Sequence, residues 1–393
     1  MNDLDIPFDH LTRPTSHASG VVHDVWRWMR THESVHWHEP GEFPGFWSLT
    51  RYADIRTVYQ EPATFSSAAG VLLRPATSGN DPGSGLTLAL TDPPRHRYLR
   101  AAIADRFGER CARVLGDEMR AEVAAVVHRA TELGTCDVVE DVGARLSTFT
   151  IARLMGVPEA DREVFLKWTV EAFTTGRSLT THRKLMDYLA KLMYDRMVTD
   201  ADDLMGRLVN RSIEGELLSE TEVLLNCENL IGAAENAGLS IAGGIVALAR
   251  HPDEWRRLQQ RRVHIPDAVE EILRWTSSAT HSMRTAVRDA EIGGRRIKVG
   301  DRVVLWLPSA NRDDGKFDAP ETFDLGRRPN QHLALGAGPH VCIGGTMARH
   351  QMRMLFTELL DSVRGIELAG PVRPIRSITV GGAAHAPVRW VLH

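Results

Sequence analysis

The chain has 393 residues, a formal net charge of −4, 43% hydrophobic and 25% charged residues, the profile of a water-soluble globular protein. Its mild acidity sets aside a general nucleic-acid binder, which needs a basic excess to neutralise phosphates. Its four cysteines, Cys111, Cys136, Cys227 and Cys342, contain no CxxC pair and suggest neither a disulfide framework nor a structural zinc site. No linker interrupts the chain, so one domain over 1–393 is expected, mainly α with small β-sheets.

From the N-terminus, "MNDLDIPFDHLTRP" carries no basic n-region and no apolar h-region. No uncharged run of about 18 apolar residues follows anywhere, which predicts a cytoplasmic protein with no membrane anchor. Trp47–Thr50 ("WSLT") reads as a strand. "PATSGNDPGSG", from Pro75 to Gly85, reads as a mobile loop within a domain.

The strongest helix signal starts at Ser219, where Glu222 three residues on makes a capping box, and runs to a stop at Pro252. Some thirty residues at about 1.5 Å each span about 45 Å, roughly the width of such a protein. Apolar residues occur on most of its faces, so the helix should thread the core. In its middle Gly232, Ala233, Ala234, Ala237 and Gly238 remove side-chain bulk. That suits either a flat or bulky body lying against the backbone or a close helix crossing. Glu235 and Asn236 sit within this denuded section, where a carboxylate and an amide are costly unless hydrogen-bonded or used.

Further on, Ala290–Leu307 ("AEIGGRRIKVGDRVVLWL") reads as a hairpin followed by a strand. Then "LALGAGPHVCIGG", Leu333 to Gly345, packs four glycines and one cysteine into thirteen residues. Gly336, Gly338, Gly344 and Gly345 let the backbone fold tightly and aim N–H groups inward. Ala348, Met352, Leu355, Phe356 and Leu359 recur at helical spacing just after it. Cys342 therefore lies near a helix N-terminus, where the dipole and free N–H groups favour thiolate. A thiolate there can be a nucleophile with His340 as a nearby base, a metal ligand, a haem ligand, or an inert buried cysteine. The first use would make the chain a cysteine-dependent hydrolase or acyltransferase.

"LGAGPHVCIGG" closely resembles the haem-binding loop of the cytochromes P450, of the soluble bacterial, actinomycete-like type. "AVEEILRW" resembles the family's ExxR pair, Glu271 and Arg274, and "FDLGRRPNQHLALG" supplies Arg327 as the best match to the arginine that completes the triad. At i and i+3 the first two share a helix face, which suits a buried ion pair clamped by a second arginine. "DPPRHRYLR" is similar to the segment whose His96 and Arg100 meet the haem carboxylates, and Arg284 and His340 look like the other two propionate partners. Phe46–Ser67 looks like the N-terminal sheet and helix of the soluble bacterial members.

The resemblance implies the cytochrome P450 fold and haem b with Cys342 as its proximal ligand, packed against Ala233, Gly336 and Gly344. It also implies a haem-thiolate monooxygenase supplied with electrons by a ferredoxin and ferredoxin reductase, with Arg95, Arg97 and Arg353 near the docking face. Substrate contacts are expected from Val71, Leu88, Phe173, Ala233, Ala237, Thr280, His281 and Thr379. The small helix residues suggest a bulky polyketide or peptide intermediate.

Two departures stand out. The family's acidic residue is kept as Glu235, but Asn236 replaces the threonine that follows it. An amide can order water but has no hydroxyl to relay a proton. This leaves hydroxylation or epoxidation, oxidative coupling or desaturation without oxygen insertion, and a haem-binding protein without turnover as alternatives. Leu335 stands where phenylalanine usually packs beneath the thiolate, which should alter the second-shell environment of the sulfur.

Overall fold

The computed structural model describes residues 8–174 and 178–393, with no side-chain description at Phe173 and Thr174. Helices dominate, and the strands gather into small sheets. The largest sheet has the order Val35–His38, Phe46–Leu49, Arg302–Trp306, His281–Ala286, Phe65–Ser66. Arg302–Trp306 runs parallel to Phe46–Leu49 and antiparallel to His281–Ala286. The expected hairpin is Ala290–Ile292 paired with Arg295–Ile297. Its turn residues, Gly293 and Gly294, take φ of 56° and 73°, a left-handed pair that a two-residue hairpin turn requires and glycine tolerates.

The long helix is Glu220–Arg250, 31 residues. Its capping box is complete, since the Glu222 carboxylate accepts from the Ser219 N–H at 2.9 Å and Ser219 Oγ accepts from the Glu222 N–H at 3.3 Å. The helix is long and apolar enough to cross a membrane by composition, but most of that stretch, 61%, is buried within the protein. Ile241, Ala242, Ile245 and Leu248 are fully buried in the main core, together with Met352, Leu355 and Phe356 of the helix Gly345–Ser362.

The small-residue section makes a close helix crossing on one face and opens onto a cavity on another. Gly238 crosses the segment Val138–Ala144 so closely that a Cβ at Gly238 would stand 2.8 Å from the Gly143 carbonyl oxygen. Ala233, Asn236, Ala237 and Ser240, at i, i+3, i+4 and i+7, instead face a large cavity.

The Glu271–Arg274 pair lies in the helix Ile265–Thr276 and is inaccessible to solvent. Arg274 donates from Nε and Nη2 to the two carboxylate oxygens at 2.7 and 2.8 Å. Arg327 Nε adds a bond to Glu271 Oε2 at 3.1 Å. The arrangement is more heavily satisfied than the motif alone implies. Asn330 Nδ2 and the Asp324 N–H also donate to Glu271, each at 3.0 Å, and Arg274 Nη1 donates to the Asn311 and Pro320 carbonyls. A buried ion pair offsets its desolvation only with such extra hydrogen bonds. The pair ties its helix to Asn311–Asn330, which leads directly into the cysteine loop.

Candidate functional site

The cysteine loop closes through the Cys342 N–H donating to the Leu335 carbonyl at 2.8 Å. Gly338, at φ 67°, cannot be replaced without strain, because a Cβ would lie 2.2 Å from the Tyr59 carbonyl oxygen. The loop thus packs flush on the helix Tyr52–Gln60 and presents Sγ to a cavity of about 370 Å³. Cys342 is accessible from that cavity although it lies deep in the protein. Burial pushes its thiol up, opposed by the Gly344 and Gly345 N–H groups and by Arg100 and Arg349. The N–H groups and cations are in place to hold a thiolate once a metal takes its proton's position. Leu335 and Gly344 line the cavity beside the sulfur, with Gly336 one residue on from Leu335.

On the same cavity His96, Arg100, Arg284 and His340 converge. The two imidazole rings lie 3.9 Å apart. Both ring nitrogens of His96 and Nε2 of His340 are buried with no hydrogen-bond partner among the described residues. Arg284 is buried, stacks on Tyr59 at 5.2 Å, and has no ion pair with a described carboxylate. Burial, then Arg284, His96 and Arg100, hold His340 down at about 3. Orphaned donors and unpaired guanidinium groups at a buried wall are what two ligand carboxylates would satisfy. The haem expected from the resemblance fits these residues.

The opposite wall is the long helix. Asn236 reaches the cavity with Oδ1 buried and unpartnered among the described residues, and its Nδ2 is 3.4 Å from the Ala233 carbonyl. Ser278 Oγ donates to the Asn236 main-chain oxygen at 3.0 Å and lies 3.1 Å from Ser240 Oγ. Ser240 and Ser278, which sequence reasoning passed over, therefore place a hydroxyl pair one turn from the missing threonine. A helical i, i+4 count from Asn236 would have found Ser240.

Glu235 is a correction. It lines a separate, smaller cavity with Val139, Ala144 and Thr148. Helical geometry turns successive residues by about 100°, so the face that shows Ala233 and Asn236 to the large cavity carries Glu235 away from it. Among the expected substrate contacts, Val71, Leu88, Ala233, Ala237 and His281 line the large cavity. The side chain of Phe173 lies outside the described residues. Thr280 and Thr379 do not line it. Thr280 faces a second cavity, and Thr379 Oγ1 bonds Ser377 at 2.9 Å while its carbonyl accepts from the Thr280 N–H.

His281 reaches the cavity but is not free to bind. Its Nε2 accepts from the Leu73 N–H and its Nδ1 donates to the Ile378 carbonyl, both at 2.9 Å. Burial pushes its pKa down to about 4, so it is the neutral clip between two loops.

No hydrogen bond joins His340 to Cys342 among the described residues, which leaves the cysteine without the base a hydrolase needs. The "cytochrome P450" family model matches residues 177–364. The chain is 34% identical over 388 residues to cytochrome P450 NovI of Streptomyces niveus, covering 96% of this chain and 95% of that protein. It is 31% identical over 382 residues to a steroid C26-monooxygenase of Mycolicibacterium smegmatis, covering 92% and 89%. The crystal structure of P450 OxyD, involved in the biosynthesis of vancomycin-type antibiotics, superimposes with a TM-score of 0.91 at 30% identity, covering 97% of this chain and 99% of that one. These similarities and the cysteine loop together show that the chain belongs to the cytochrome P450 family of bacterial haem-thiolate monooxygenases, oxidoreductases whose cofactor is haem b.

Proposed function

We propose that the chain oxidises a bulky natural-product intermediate, a polyketide or peptide, by hydroxylation or epoxidation. The observation that carries this reading is the stripped helix face: Ala233 and Ala237 leave room in the cavity that Cys342 also lines, with Asn236 as the polar group between them. The walls beyond are small as well, with Ala89, Ala234 and Ala279. The involvement of OxyD in vancomycin-type antibiotic biosynthesis supports the substrate class.

When bound, haem b supplies the reductive oxygen chemistry that attacks a C–H or C=C bond. The rest belongs to the chain. Cys342 would hold the metal through its sulfur, with Leu335 lining the cavity beside it. His96, Arg100, Arg284 and His340 would take the haem's two carboxylates. Asn236 orders a water through its unpartnered Oδ1, in the role that the family gives to threonine. Glu235, facing the smaller cavity, acts at most through its neighbours. Electrons come from a small acidic ferredoxin and its reductase.

Asn236 specifically favours a second reading, oxidative coupling or desaturation, because an amide orders water without relaying a proton. One experiment separates them. Titrating polyketide and peptide intermediates into the ferric protein should shift the Soret band to the blue for the true substrate class, and turnover of that compound should give a product heavier by one oxygen. A product lighter by two hydrogens would establish the second reading. A Soret band unmoved by every member of the panel would overturn the substrate class.

A further inference from the structure

The segment Ser277–His281 is a wall with a cavity on each side. Ser278, Ala279 and His281 line the large cavity, whereas Ser277 and Thr280 line another of about 120 Å³. The remaining walls of this second cavity include His17, His23, Trp275 and Arg312. No carboxylate side chain is among its lining residues.

Its one lining cation, Arg312, has only a shared and distant counter-charge. The Arg312 side chain is only 9% exposed, and its nearest carboxylate, Glu321, stands 3.6 Å from Nε. That same half-exposed carboxylate also serves Arg27 at 3.3 Å and the buried Arg30 at 3.8 Å. Asp24 relieves Arg27, and Asp313 bears on Arg30, but the Asp313 oxygens already accept from the Tyr52 and Gly315 N–H groups. Arg312 Nη2 donates to the Trp275 carbonyl at 3.0 Å, and its guanidinium lies over the Trp275 ring at 4.9 Å. Nη1 makes no hydrogen bond to a described residue. Neither the Thr280 hydroxyl nor the His23 ring makes one either. Burial and then the positive field of Arg312 hold His23 well below its ordinary pKa, so that neighbour is neutral and adds no competing charge. His17 uses Nε2 on the Leu11 carbonyl at 2.9 Å.

We propose that this second cavity binds a small monovalent anion, between chloride and acetate in size, held by the Arg312 guanidinium and the Thr280 hydroxyl. The site is cationic, provided with unused donors and lacking a lining carboxylate. It is also distinct from the haem pocket, so it stands or falls independently of the proposed substrate.

The test uses the holoenzyme with bromide as the halide probe and acetate as the carboxylate probe. Crystals grown with sodium bromide should show an anomalous peak within hydrogen-bonding distance of Arg312. In solution, the melting temperature should rise and saturate with sodium bromide or acetate, relative to the sodium salt of a bulky sulfonate at equal ionic strength. The isosteric variant Thr280→Val should weaken bromide binding about tenfold, the loss of one hydrogen bond to a charged group, while leaving the unliganded melting temperature near that of the parent. Arg312→Lys, which keeps the charge but loses the fork, should weaken acetate more than bromide. Water alone in the cavity of bromide-grown crystals, or a Thr280→Val protein that binds bromide as tightly as the parent, would overturn the proposal.

Discussion

His281 is the residue at which local sequence and three-dimensional role part furthest. As a polar side chain on the cavity wall it suggests a ligand contact, yet both nitrogens are spent on backbone groups of distant loops. Its pKa of about 4 lies below the usual value near 6.5. The folded state therefore refuses a proton that the unfolded chain accepts. Stability is full above pH 6.5 and falls as pH drops through the window from 6.5 to 4, by about 3 kcal/mol for this one group. Denaturant titrations at pH 7 and pH 4.5 should show a smaller acid loss in His281→Gln than in the parent protein; an identical loss would remove His281 from the account. Asn236 is the complementary case, legible as an anomaly from the motif alone because its neighbours match the family so well. Asn236→Ala should release about tenfold more peroxide per electron consumed, equivalent to about 1.4 kcal/mol in the branching between productive and wasted reduction. Unchanged coupling would discard its water-ordering role.

At the scale of elements, what the sequence disclosed is what neighbouring residues decide. The capping box, the glycine turn of the hairpin and the ExxR pair each span four residues or fewer, so their geometry follows from backbone rules that no distant contact overrides. Which face of the long helix meets the cavity depends instead on the segment Val138–Ala144, a hundred residues away. Nothing at Glu235 itself records that it would turn aside while Asn236 turned in. The motif likewise showed Glu271, Arg274 and Arg327 but not Asn330, whose amide completes the carboxylate's coordination from the same segment, three residues beyond Arg327. The crossing can be tested directly. Gly238→Ala would place a Cβ 2.8 Å from the Gly143 oxygen, a backbone atom that cannot swing away as a side-chain tip such as Ser147 Oγ could. Overpacking of this kind costs about 1–3 kcal/mol, and a lower urea midpoint should report it, whereas Ala237→Gly on the open face should cost only the smaller helix propensity difference of about 1 kcal/mol.

For the whole molecule, a net charge of −4 would repel an acidic electron donor unless the docking face is locally basic. The three arginines expected there are not equivalent. Arg95 is paired with Glu214 and Glu222, and half-buried Arg353 has its Nε enclosed without a partner. Arg97 alone of the three is exposed, and it makes no ion pair among the described residues. Charge steering acts through such free cations and fades with salt. Arg97→Glu should therefore raise the ferredoxin concentration needed for half-maximal reduction about tenfold at low ionic strength, with the difference closing at 0.5 M salt; Arg95→Glu, which loses an internal pair as well, should also lower the melting temperature. An effect of Arg97→Glu that ignores salt would place the docking face elsewhere.

The wall between the two cavities also sets a rule for anyone seeking to alter selectivity by mutation. Between Ser277 and His281 the partition is one residue thick, and neighbouring positions answer to different compartments. A library that randomises this stretch as one block mixes two phenotypes: changes at Ala279 reshape the space above the cysteine, while changes at Thr280 act from behind it. Screening the positions separately would turn an apparently erratic landscape into two smooth ones.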